Sequence, residues 1–139
     1  MRHFLFASHG NFAEGIRHSV ELIVGKQPNI WTLGAYVDEN VDLKTQIKEL
    51  FTKFTENDEL IVVTDIFGGS VNNEFMNLVE EQQIHLIAGL NLPLVIELVT
   101  MEKQEKDTEK LIKSAIKNSR NSIKYCNSEI GKEHDDEEF

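Results

Sequence analysis

Short apolar runs alternate with amphipathic stretches along most of this chain. That alternation is the tightest constraint on its fold. Strands joined through helices run parallel, and the crossovers cover both faces of an open sheet. Residues 3–7 (HFLFA) read as a buried first strand. Residues 12–24 place Phe12, Ile16, Val20, Ile23 and Val24 near helical spacing, and Gly25 and Pro28 end that helix. Residues 29–35 (NIWTLGA) predict a second strand, weakened by Gly34. Residues 43–54 line up Leu43, Ile47, Leu50, Phe51 and Phe54 on one helical face, with Asp42 placed to cap it. Residues 60–64 (LIVVT) are the strongest strand signal. A glycine-containing loop follows over 66–70, with Ser70 placed to cap a helix running to about Val79. Residues 84–88 (IHLIA) predict a fourth strand, 89–93 a turn, and 94–101 a short buried helix. A charged final helix is expected over 107–119. Residues 122–126 (SIKYC) alternate as an edge strand would.

The expected architecture is therefore α/β: a doubly wound, open, mostly parallel sheet with helices on both faces. A chain of 139 residues suits one such domain, over residues 1–126. Glu129, Glu133, Asp135, Asp136, Glu137 and Glu138 crowd into 127–139 against Lys132 alone. That segment reads as an acidic, solvated and disordered tail. The net charge of −10 argues against nucleic acid, whose phosphates need basic residues, and allows a basic protein partner. Cys126 is the only cysteine, so no internal disulfide can form, which fits a reducing, cytoplasmic setting. The apolar start is too short for a signal sequence or a membrane span.

In open parallel sheets, ligands sit at the carboxyl ends of strands where the strand order reverses. If the first and third strands are neighbours there, Ser8-His9-Gly10 meets the loop from Asp65 to Ser70. One supplies an imidazole and the other a carboxylate. A neutral imidazole nitrogen is a nucleophile. Asp65 can hold one ring nitrogen and present the other, or it can simply close an Asx-type turn. Gly68-Gly69-Ser70 can bring backbone amides to an anion, or merely turn the chain. The run is neither a Walker A loop nor a dinucleotide fingerprint. His3 and His85 lie inside predicted strands, His18 lies mid-helix and His134 in the tail. His9 and Asp65 alone are too few ligands for a metal. A strand-end aspartate also describes receiver domains, but Ser8-His9 stands where their metal-binding acid pair would be.

The segments FASHGNFAEGI, LIVVTDIFGGSVNN and HLIAGLNLPLVIE, in that order and spacing, resemble the EIIA component of the mannose-family sugar phosphotransferase system (PTS) over residues 1 to about 126. The resemblance implies that His9 is phosphorylated at Nε2, with Asp65 as its hydrogen-bond partner. Gly10, Phe67, Gly68, Gly69 and Ser70 would line the phosphoryl site, and Gly89 and Asn91 would shape an adjoining loop. It further implies four parallel strands, plus an antiparallel C-terminal strand exchanged in a homodimer. The phosphoryl donor would be phosphorylated HPr and the acceptor a histidine of the EIIB component, with no metal or organic cofactor. The sequence departs from the family pattern at Val71, where proline is common, and at Phe67, where tryptophan is frequent. The acidic tail stands where some relatives carry a linker to EIIB, which reads as a separate EIIA subunit. Two related readings are a phosphodonor for dihydroxyacetone kinase and a domain that signals by its phosphorylation state.

Overall fold

The computed structural model describes residues 1–137, with side chains through residue 131. Its elements in chain order are β1 (Arg2–His9), α1 (Phe12–Val24), β2 (Ile30–Ala35), α2 (Leu43–Phe51), β3 (Glu59–Thr64), α3 (Ser70–Met76), α4 (Val79–Gln82), β4 (His85–Ala88), α5 (Leu92–Met101), α6 (Thr108–Arg120) and α7 (Cys126–Glu137). The strands form one sheet in the order β2-β1-β3-β4, and every neighbouring pair is parallel. The order reverses between β1 and β3, as the functional reading requires. Ala7 lies opposite Thr64 across that pair, so His9 and Asp65 both leave the sheet at the same end.

Burial explains why β1 reads as a continuous apolar run rather than an alternating one. Phe4 and Phe6 face a core shared with α1, α5 and α6, through Val20, Leu94, Leu98, Leu111 and Ala115. Leu5 and Ala7 face the opposite core, built with Leu43 and Ile47 of α2 and with Val71 and Phe75 of α3. All four β1 residues are fully buried. Asp42 caps α2 as expected, its Oδ1 accepting from the Thr45 amide, and Asp107, expected as the first residue of the final helix, caps it instead, its Oδ1 accepting from the Lys110 amide.

Several elements differ from the sequence reading. Helix α2 ends at Phe51, although Phe54 still packs edge-on against Trp31. Ser70 does not cap α3. Gly69 takes that position, and Ser70 is the first helical residue with its hydroxyl turned to the site. The helix expected to reach Val79 stops at Met76, where Asn77, a poor helix former, closes it; α4 is a separate turn. The expected edge strand over residues 122–126 is not formed, and Cys126 opens α7 instead. A lone strand needs a sheet edge to satisfy its backbone. In the single chain, Ile123 and Tyr125 stand 88% and 71% exposed. Helix α7 runs from Cys126 to Glu137, into the segment expected to be an acidic tail. Glu138 and Phe139, the end of that tail, lie outside the described residues. Among the described residues, no helix is long and apolar enough to cross a membrane.

Candidate active site

The two strand ends are shaped by close backbone contacts. After His9 the chain turns through Gly10, whose φ of +60° favours glycine. The Gly10 amide donates to the Ala35 carbonyl at 2.8 Å, which pins the turn to β2. Gly34 is what permits this approach: a Cβ there would lie 2.5 Å from the Gly10 carbonyl oxygen. The glycine that weakens the strand signal is thus required by the neighbouring loop. Ser8 points inward, fully buried, and its Oγ accepts from the Ala13 amide at 2.8 Å. That bond ties α1 to the end of β1.

Asp65 follows β3 directly. Its Oδ2 accepts from the His9 backbone N–H at 2.8 Å and meets His9 Nδ1 at 2.7 Å. Its Oδ1 accepts from the Ile66 amide at 3.0 Å. Burial penalises the charged carboxylate, but the hydrogen bonds from the His9 amide, the His9 ring and the Ile66 amide outweigh it. Together they hold the Asp65 carboxyl below its usual range. An ionised carboxylate only accepts, so Nδ1 carries a ring hydrogen, and in the neutral imidazole Nε2 keeps its lone pair. The Asp65 side chain is 15% exposed and that of His9 46%, so the pair is held from behind and open in front.

Nε2 faces Ser70 Oγ at 3.3 Å, and Ser70 Oγ lies 2.7 Å from the Tyr36 hydroxyl. The Tyr36 ring leans on the His9 imidazole, with centroids 5.5 Å apart. Gly68 sits at φ +80°, and Gly69 packs so closely that a Cβ would meet Ile66 Cγ2 at 2.7 Å and His9 Cε1 at 3.5 Å. The buried Asn72 braces this loop, accepting from the Gly68 amide and donating to Thr64 Oγ1 at 2.8 Å. Phe67 is 79% exposed at the rim. Gly89 and Asn91 touch the site only through β3. The Gly89 and Leu90 amides both donate to the Thr64 carbonyl at 2.9 Å, and Asn91 Nδ2 donates to the Gly89 carbonyl at 2.8 Å.

The structure therefore joins His9, Asp65, Gly69 and Ser70, places Gly10 and Gly68 in the flanking turns and Phe67 at the rim, and sets Gly89 and Asn91 one layer back. Sequence reasoning missed Tyr36, Asn72 and the anchoring role of Ser8. Tyr36 directly follows β2, as His9 ends β1, and that strand-end position was the available signal. Among the described residues, no group of three or more His, Cys, Asp or Glu could hold a metal ion. A cleft of about 1030 Å³ lies at the opposite end of the sheet, by Phe51, Phe54, Glu59 and His85. Its size does not make it the site, because Glu59 is already paired with Arg2, and Asp58 with the N-terminal ammonium.

Fold and site define an α/β domain that presents a carboxylate-held imidazole at its switch point. Residues 3–116 match the family EIIA-man, described as the PTS system fructose IIA component, and the chain belongs to that family of phosphotransferase-system proteins. The fructose-specific EIIA component of Bacillus subtilis (strain 168) is 23% identical, over 92% of this chain and 88% of that protein. The mannose-specific EIIAB component of Escherichia coli (strain K12) is 23% identical over 86% of this chain, which spans only 38% of that relative. Among solved structures, a Klebsiella pneumoniae protein is provisionally described as a phosphoenolpyruvate-dependent sugar phosphotransferase system permease. It superposes with a TM-score of 0.87 at 56% identity, over 93% of each chain.

Proposed function

We propose that this chain is a cytoplasmic EIIA phosphocarrier of a mannose-family sugar phosphotransferase system. It takes a phosphoryl group from phosphorylated HPr onto His9 Nε2 and passes it to a histidine of an EIIB component. The observation that carries this reading is the 2.7 Å contact between His9 Nδ1 and Asp65 Oδ2, which commits one nitrogen and leaves the other at an open strand end. In the transfer, the Nε2 lone pair forms a new N–P bond in line as the donor's N–P bond breaks. The donor nitrogen leaves with that electron pair. His9 becomes a cationic phosphoimidazole, and the Asp65 carboxylate offsets its charge through Nδ1–H. Ser70 Oγ is positioned to donate to a phosphoryl oxygen. Gly69 lets the loop backbone approach the ring, and the exposed Ile66, Phe67 and Tyr36 offer the partner an apolar rim that excludes water. Positioning and charge stabilisation supply the rate, with no metal or organic cofactor required. The test is transfer itself. With phosphorylated HPr, the protein takes up one phosphoryl group per chain in an acid-labile, base-stable adduct, then loses it to an EIIB domain. An adduct that is lost in base, as an acyl phosphate is, overturns the reading.

The working unit in this proposal is a homodimer. Ile123 and Tyr125 are exposed in the single chain, and the outermost strand β4 is only four residues long. Residues 122–126 pairing antiparallel with a second chain would satisfy both. In sedimentation at micromolar concentration, the full chain is expected to be dimeric and a chain ending at Asn121 monomeric and less stable. A chain ending at Ser128 is expected to remain dimeric. A dimeric, equally stable chain ending at Asn121 contradicts the exchanged strand.

A further inference from the structure

Tyr36 is not in either of the two loops that carry the reacting groups, yet the structure turns it into the site at a cost. Its φ of +67° lies in the left-handed region that an aromatic residue rarely adopts. That conformation leans the ring on His9 at 5.5 Å and brings the phenol within 2.7 Å of Ser70 Oγ. The hydrogens of this chain can be assigned. In the neutral, nucleophilic ring, Asp65 accepts from Nδ1–H, so Nε2 has only a lone pair to offer. The Ser70 hydroxyl, 3.3 Å away, is then the donor to Nε2. Having one hydrogen, Ser70 must accept from Tyr36. The relay runs Tyr36 O–H to Ser70 Oγ, and Ser70 O–H to Nε2.

We infer that Tyr36 is a positioning residue for phosphoryl transfer, its hydroxyl fixing the Ser70 donor beside His9 Nε2. The inference rests on the proposal that Nε2 is the acceptor. Once Nε2 is bonded to phosphorus it has no lone pair left, and the Ser70 hydrogen is released to a phosphoryl oxygen. The bond from Tyr36 is unaffected by that switch. It keeps Ser70 Oγ in place and strengthens its O–H as a donor, because linked hydrogen bonds polarise one another. Apolar contact with the incoming partner belongs to the ring, and orientation of Ser70 to the hydroxyl, so the two roles can be separated by removing one atom.

The experiment is a rate cycle on wild type, Tyr36→Phe, Ser70→Ala and the double variant, with phosphorylated HPr as donor and the labelled residue mapped in each. Tyr36→Phe keeps the ring and is expected to melt with the wild type. Its single-turnover transfer should be slower by about threefold to tenfold, the range a neutral hydrogen bond spans, with the KM for the donor unchanged. The double variant should be no slower than Ser70→Ala, because Tyr36 acts only through Ser70. Wild-type transfer in Tyr36→Phe, a change confined to KM, or slowing that multiplies in the double variant overturns the inference. Label mapped away from His9 in the wild type is instead the failure of the proposed function, and the same samples distinguish the two.

Discussion

His9→Ala is expected to take up no phosphoryl group from phosphorylated HPr, the largest effect any single substitution in this chain should produce. The expectation follows from geometry rather than from histidine content. His85 lies at the amino end of β4, with Nε2 3.9 Å from Glu59, far from the switch point. His18 is exposed on α1 with no carboxylate holding its ring among the described contacts. His3 is buried and accepts from Trp31 Nε1 at 3.1 Å. Among the histidines whose side chains are described, His9 alone combines an Nδ1 held by a carboxylate with an Nε2 at an exposed strand end. His18→Ala and His85→Ala should therefore label as the wild type does. His3→Ala should keep its label while losing stability through the Trp31 contact. Radiolabel retained by folded His9→Ala would remove the basis of the mechanism.

Asp65→Ala and Asp65→Asn come next. A hydrogen bond to a charged group contributes about 1.5–3 kcal/mol, so either change should slow transfer by about tenfold to a hundredfold. Asn keeps the size but carries no charge to offset the cationic phosphoimidazole, and its amide can pair with the wrong tautomer of His9. Stopped transfer assays at saturating donor measure this directly, and wild-type rates in both variants would reduce Asp65 to a turn residue. Stability carries its own sign. The Asp65 carboxyl is held below its ordinary value of 3.8, so the folded state binds its proton more weakly than the unfolded state. The stabilisation is therefore complete above that value and is lost as pH falls through the lower folded one. Thermal melts of wild type and Asp65→Asn should differ most near neutrality and converge in acid.

The reacting pair was legible because its position follows from topology. A strand-end residue at a sheet reversal is exposed to ligand whatever its neighbours do; β3 ends at Thr64 as its apolar run indicates, and β1 runs two residues past its apolar run to end at His9 itself. The core helices were legible for the same reason: their buried faces repeat at 3.6 residues. Ser70 reads from the sequence as a cap as well as a residue of the site loop, because a serine before a helix normally caps it. Here Gly69 takes the cap position and frees the hydroxyl. Tyr36 has a strand-end position as its signal, but nothing in an aromatic residue announces the positive φ that turns it into the site. Gly34 was read as a weakness because the Gly10 carbonyl it accommodates comes from a different element. Residues 122–126 show the limit of pattern reading most clearly. Alternation describes a strand's faces but not its partner, and in a single chain this segment finds no edge.

Phosphorus–nitrogen coupling in the phosphorylated, ¹⁵N-histidine-labelled protein tests the central claim most directly. One phosphorus should couple to Nε2 of His9, while Nδ1 keeps its hydrogen in the bond to Asp65. Phosphorus found on Nδ1 of His9, or on any other residue, would contradict the account.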